Sequence, residues 1–222
     1  MLPVEKEQKL TSVKIADDLR RRIIEGDLAP EVRLRQREIA AQYGVSGMSA
    51  RDVVKLLLKE GFATQEGAKT VVVSPLSPMD FLEIMELRLL LEPRALELSG
   101  PRLSSSVFQE LRDILADDST DKSPLEMAER HWAFHELLYS RAARPRSAEI
   151  LRTLNGHLVR YMLPLWASVG IGESWRAHHL RLVEQVEAGE FKDASEELKA
   201  DLLQTKSRVL ENLVIDSIGS NV

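Results

Sequence analysis

The sequence predicts a mainly α chain in two parts: three helices with a β-hairpin, then an all-helical bundle of about six helices. Three observations predict it. Apolar residues recur at 3.6-residue spacing along most of the chain, strand character is confined to residues 62–73, and the Pro-containing stretch 74–78 separates two unlike halves. With 222 residues, 44% of them hydrophobic, the chain can bury one large or two modest cores. It has no cysteine, which excludes a disulfide scaffold, a thiolate metal site and a cysteine nucleophile. No run approaches the roughly 18 apolar residues of a membrane span, and the first ten residues lack a signal peptide's apolar stretch. A cytoplasmic location with no membrane partner is expected. The net charge of −5 argues mildly against nucleic acid until it is divided. Residues 1–75 carry 13 Lys+Arg against 11 Asp+Glu, and residues 76–222 carry 17 against 24 together with all five histidines.

In chain order, a first helix is expected from about Thr11 to Glu25, with Val13, Ala16, Leu19 and Ile23 on its apolar face; Gly26 and Pro30 stop it. A short helix near Arg35–Tyr43 buries Ile39 and Ala40. Gly44 reverses the chain, and Ser46 caps a third helix whose inner stripe is Ala50, Val53, Val54, Leu57 and Leu58. Gly61 ends it. Residues 62–65 and 70–73 pair across a Glu66-Gly67 turn. Beyond the linker, helices are expected at about 79–99, 104–118, 123–143, 146–169, 173–188 and 190–214. Pro93 and Pro164 should kink or break two of them, and Gly170–Gly172 and Gly189 mark junctions.

Two short helices joined by a glycine turn and followed by a hairpin describe a winged helix-turn-helix. In such a module the helix after the turn enters the DNA major groove N-terminal end first, which here begins at Ser46, Gly47 and Met48. Arg51 and Lys55 lie one turn apart on its outer face, where they reach phosphates or guanine edges. Arg33, Arg35 and Arg37 form a basic cluster before it. A solvated basic helix face would look the same.

Asp27-Leu-Ala-Pro-Glu-Val-Arg-Leu34, Arg37-Glu-Ile-Ala40, Tyr43-Gly-Val-Ser46, Arg51-Asp-Val-Val-Lys-Leu-Leu57 and Glu60-Gly-Phe62 together resemble the GntR family of bacterial transcription regulators over roughly residues 9–75. The resemblance implies that Arg37 and Arg51 contact operator DNA and that Gly67 is the wing glycine at the minor groove. One position departs from the family pattern: Gly47 stands where an arginine commonly follows the Val-Ser pair, which removes one expected DNA contact.

In the second part, Met127, His131, Phe134, His135 and Leu138 share one helical stripe, and Trp175, His179, Leu182, Val183 and Val186 share another. In the last helix Phe191, Ala194, Leu198, Asp201, Leu202 and Thr205 lie on one face. Three histidines and an aspartate then face inward, where a buried carboxylate needs a partner. A divalent ion would satisfy all four, Zn²⁺ being the first choice and Ni²⁺, Mn²⁺ or Fe²⁺ also suiting such ligands. Hydrogen-bonded core histidines are the alternative. His157 and His178 fall off the stripes, as surface residues or supports. Arg88 lies on the inward stripe Phe81, Ile84, Arg88, Leu91, Ala95, so it needs an anion, either an internal carboxylate or that of a bound ligand. Trp132, Tyr161 and Trp166 are candidate pocket walls.

Arg88-Leu-Leu-Leu-Glu92, Phe134-His135-Glu-Leu-Leu138 and His179-Leu-Arg-Leu-Val-Glu-Gln-Val-Glu-Ala-Gly189 resemble the FCD effector domain of the FadR-like GntR branch, over about residues 78–215. The resemblance implies a metal held at His131, His135, His179 and Asp201, with His and Asp exchanged at the first and last positions of the family's pattern. It also implies a small organic-acid effector bound beside that metal, with Arg88, Trp132 and Tyr161 as its contacts.

An enzyme is not expected. His135-Glu136 begins like H-E-x-x-H, but residue 139 is tyrosine, and no nucleophile elbow, phosphate loop or dinucleotide turn appears. The alternative is a metal-binding helical protein or metal-dependent enzyme without sequence-specific DNA binding. The reading is a homodimeric repressor, with residues 9–75 reading double-stranded operator DNA and residues 76–218 sensing an organic acid and dimerising.

Overall fold

The computed structural model describes residues 3–116, 123–169 and 173–219. The expected junction at Gly170–Gly172 and the last two residues of the helix expected over 104–118 lie outside them. The chain folds as two compact units, Met1–Leu76 and Ser77–Val222.

The first unit contains α1 (Pro3–Glu25), α2 (Gln36–Tyr43), α3 (Gly47–Lys59), β1 (Ala63–Glu66) and β2 (Thr70–Val73). Helix α1 begins well before the expected Thr11. Its buried stripe is Ile15, Ala16, Leu19 and Ile23, closed by Ser12. Val13, expected inside, is exposed because it stands about 100° round the helix from Ser12. The stripe packs against Ala50, Val53, Val54 and Leu57 of α3. Gly44 turns the chain between α2 and α3 with φ of 64°, a left-handed conformation that costs glycine little. Ser46 caps α3, its Oγ accepting from the Ser49 N–H at 3.1 Å.

Long-range polar bonds fix the bundle. Arg20 donates to Glu60 and lies over the Phe62 ring, and the Tyr43 hydroxyl donates to Asp18 at 2.6 Å. Strands β1 and β2 are antiparallel, with Ala63 opposite Val73 and Glu66 opposite Thr70. The segment before α2 lies along β2, the Leu34 N–H donating to the Val71 carbonyl at 2.8 Å, so the wing is tied to the entrance of α2.

The second unit contains α4 (Pro78–Ser99), α5 (Ser105–Ala116), α6 (Pro124–Leu138), α7 (Pro145–Val169), α8 (Glu173–Glu187) and α9 (Phe191–Gly219), with a 3-10 turn at Gly100–Arg102. Helix α6 opens with a capping box, Ser123 bonding the Glu126 N–H while Glu126 bonds the Ser123 N–H. It ends at Leu138, five residues short of the expected position. Tyr139 leaves the helix with ψ of 0°, and Ala143 has φ of 53°, which a helix does not accommodate.

Pro93 and Pro164, expected to kink or break α4 and α7, do not break them and are carried inside continuous helices. Each proline forfeits a single ladder bond, and α4 is held along its length by packing on α7 and α9. The core contains Phe81, Met85, Leu111, Phe134, Leu182 and Leu198.

Candidate DNA-reading face and metal centre

Helix α3 presents an outer face free of the core. Gly47, Met48, Arg51 and Lys55 are all exposed, and Met48 is 74% exposed at the start of the helix. Arg35, Arg37 and Arg33 are exposed on the preceding segment and α2, as is Gly67 at the wing turn with φ of 64°. Lys55 pairs with Asp52 at 3.1 Å and Arg35 with Glu38 at 2.8 Å. Such exposed pairs are worth little, so both cations can exchange their partners for phosphate. The space around Gly47 is open: a Cβ there would meet nothing within 4 Å.

In the second unit α6 and α8 bring three imidazoles together. His135 Nε2 lies 3.1 Å from His131 Nε2 and 3.1 Å from His179 Nε2. One ligand atom from each ring lies within 4.8 Å of the others. His135 and His179 are fully buried and His131 partly so, with Trp166 and Trp175 packed around His131. Burial holds all three rings neutral: His131 and His135 are pushed well below the ordinary imidazole value, and His179 is pushed down to about 3. The outer nitrogens are also engaged. His179 Nδ1 is 2.9 Å from the Trp175 carbonyl, and His135 Nδ1 is 3.0 Å from the Tyr139 hydroxyl.

Asp201 is not part of this group, contrary to the expectation of a fourth ligand. Its carboxylate lies 3.8 Å from His178 Nε2, and burial raises its pKa against the pull of His178 and Arg88. A carboxylate oxygen stands one bond nearer its Cβ than imidazole Nε2 does, so the aspartate side chain reaches less far than a histidine would from the same backbone position. Of the two roles expected for His178, surface residue or support, the surface role fails. The side chain is mostly buried, with Nδ1 3.1 Å from Glu197 and Nε2 buried without a hydrogen-bond partner.

Arg88 does point inward, and its anion is internal: Nε pairs with Glu92, one turn on, with both side chains essentially excluded from solvent. Glu92 in turn accepts from the Tyr139 hydroxyl at 2.8 Å. Tyr161, expected as a pocket wall, has its hydroxyl engaged at the start of α4. Its hydroxyl contacts the Ser77 backbone and donates to Asp80 at 2.7 Å, pinning the first turn of α4. Trp132 lines a cavity of about 400 Å³ on the flank of α6, with Glu136, Tyr139, Arg144, Leu151 and Arg152. Trp166 belongs to the wall beside His131. Sequence reasoning missed Glu92 and Tyr139, although each follows a site residue by four positions and so shares its helix face.

Among the described residues, a three-helix unit with an exposed basic helix and a wing, followed by an all-helical unit with a histidine cluster, has the build of a DNA-binding transcription regulator. The sequence comparisons make the family plain. The model of the bacterial regulatory proteins of the gntR family matches residues 11–73, and the FCD domain model matches residues 83–204, more than half of the chain. The chain belongs to the GntR family, in its FCD-containing branch. It is 26% identical over 214 residues to the gluconate operon transcriptional repressor of Bacillus licheniformis, covering 95% of this chain and 82% of that one. It is 30% identical over 139 residues to the Nta operon transcriptional regulator of Aminobacter aminovorans, spanning 62% of this chain and 65% of that regulator. A GntR-family transcriptional regulator from Pseudomonas syringae pv. tomato superposes with a TM-score of 0.57 at 26% identity, over 96% of this chain and 90% of that one.

Proposed function

We propose that this regulator is a homodimeric repressor whose operator affinity is set by a divalent metal ion and a small organic acid in the helical unit. The observation that carries the reading is the convergence of three neutral imidazole Nε2 atoms from α6 and α8, two of them on fully buried rings. His131, His135 and His179 would hold the ion, with Zn²⁺ best suited to an all-nitrogen set and Ni²⁺, Mn²⁺ and Fe²⁺ as competitors. Three protein ligands leave coordination open, and an effector carboxylate is a ligand that an open position on a divalent ion accepts. Arg88 is committed to Glu92, so the effector's anchor is the metal centre rather than this guanidinium.

On the DNA side, Arg37, Arg51 and Lys55 supply phosphate and guanine contacts, Arg35 and the Gly67 wing flank them, and Ser46, Gly47 and Met48 enter the groove first. Two-fold symmetry of the dimer matches a roughly palindromic operator. An effector that binds the operator-competent and incompetent arrangements with unequal affinity shifts operator occupancy by that difference. A repressor named for the gluconate operon among the relatives supports the direction of control.

Two measurements test this. Elemental analysis of protein grown with adequate metal should find close to one divalent ion per chain, absent from a His135→Ala/His179→Ala variant; metal-free wild type refutes the centre. Gel-shift titration of genomic fragments upstream of the chain's own operon should give a specific complex that Arg51→Ala or Arg37→Ala weakens by about 1–3 kcal/mol. Unchanged affinity in both variants refutes the reading of this face.

A further inference from the structure

We infer that Tyr139, held by Glu92, is a positioning residue that fixes the proton of His135 on Nδ1 and thereby obliges its Nε2 to face the cluster as a lone pair. The inference rests on the metal reading and deepens it.

The assignment follows from hydrogen-bond bookkeeping in a dry site. Glu92 is paired with Arg88 and accepts only. The single hydroxyl proton of Tyr139 therefore goes to Glu92 Oε2, 2.8 Å away. Tyr139 oxygen is left as an acceptor toward His135 Nδ1 at 3.0 Å, so that nitrogen carries the N–H. A neutral imidazole has one proton, and the His135 Nε2 then has none. On the facing ring, His179 Nδ1 meets the Trp175 carbonyl, which can only accept, so His179 Nε2 is also unprotonated. Two acceptor nitrogens thus stand 3.1 Å apart with no hydrogen between them. Alone they repel; a shared cation turns the repulsion into coordination. The Arg88–Glu92–Tyr139 chain keeps His135 from escaping by moving its proton to Nε2 and donating to His179.

Tyr139→Phe keeps the ring and removes this constraint. The test uses full-length protein labelled with ¹⁵N-histidine. In metal-free wild type, ring nitrogen shifts should report an Nδ1–H tautomer for His135; in Tyr139→Phe the proton should move to Nε2. Zinc affinity, read by chelator competition, should fall by about 10–100-fold in the variant, as losses of outer-shell partners generally do. An Nε2–H tautomer in wild type, or a variant that keeps Nδ1–H and binds zinc within about twofold of wild type, overturns the inference. If the proton moves as expected but neither protein takes up zinc, the ring positioning stands and the metal reading fails.

Discussion

Replacing Arg88 with methionine separates the two roles an inward arginine can have. The side chain is 1% exposed and its partner Glu92 0% exposed. Arg88→Met keeps most of the stem's volume but leaves the Glu92 charge buried with no cation paired to it, still accepting the Tyr139 hydroxyl hydrogen bond, among the described residues. Breaking a buried pair on one side costs about 3–5 kcal/mol. For a unit of this size each kcal/mol is worth about 2–4 °C, so the melting temperature should fall by about 6–20 °C. The cause is the stranded charge rather than the lost cation. Arg88→Met/Glu92→Gln should therefore recover all but about 1–2 kcal/mol, because the amide is neutral and still accepts from Tyr139. Thermal unfolding followed by far-ultraviolet circular dichroism reads both variants. A single variant melting within about 2 °C of wild type would refute the structural role of the pair. If the recovered double variant bound metal and operator yet no longer answered an organic acid, Arg88 would be an effector contact after all.

Acidification should destabilise the metal-free protein. His179 has a folded pKa of about 3 against an ordinary 6.5, so between these values the unfolded chain binds the extra proton and the native state does not. Stability is therefore fully present above pH 6.5 and is lost as pH falls toward 3, by up to about 1.4 kcal/mol per pH unit for each such histidine. Urea midpoints across this range check it, and a His179→Gln variant should show a shallower slope. On the DNA side, Gly47→Arg meets open space and ordinary backbone geometry, so it should fold with unchanged or slightly raised stability. If Gly47 faces phosphate, the variant should steepen the salt dependence of operator binding by about one unit of log–log slope per chain. An unchanged slope places this position away from the backbone.

Local pattern made much of the molecule legible. The stripe in α3, the Gly44 turn, the Ser46 cap and the end of the helical period at residue 62, where the hairpin begins, are each written in residues a few positions apart. So was the inward direction of His131, His135 and Arg88, because residues three and four apart share a helix face. Of the kink or break expected at Pro93 and Pro164, the break did not occur for the complementary reason: propensity is local, and packing along α4 and α7 outweighs one missing bond.

The sequence by itself determined the order and type of the elements, the basic character of the reader helix, and which side chains turn toward the interior of the helical unit. Helical periodicity does this without knowledge of any neighbour. Only the tertiary structure decided which inward groups meet. It placed His179 against His135 across 44 residues of chain, left Asp201 with His178 instead, and gave Arg88 an internal partner in Glu92. Those outcomes depend on how far α6, α8 and α9 approach and how long each side chain is, and a stripe on a single helix encodes neither.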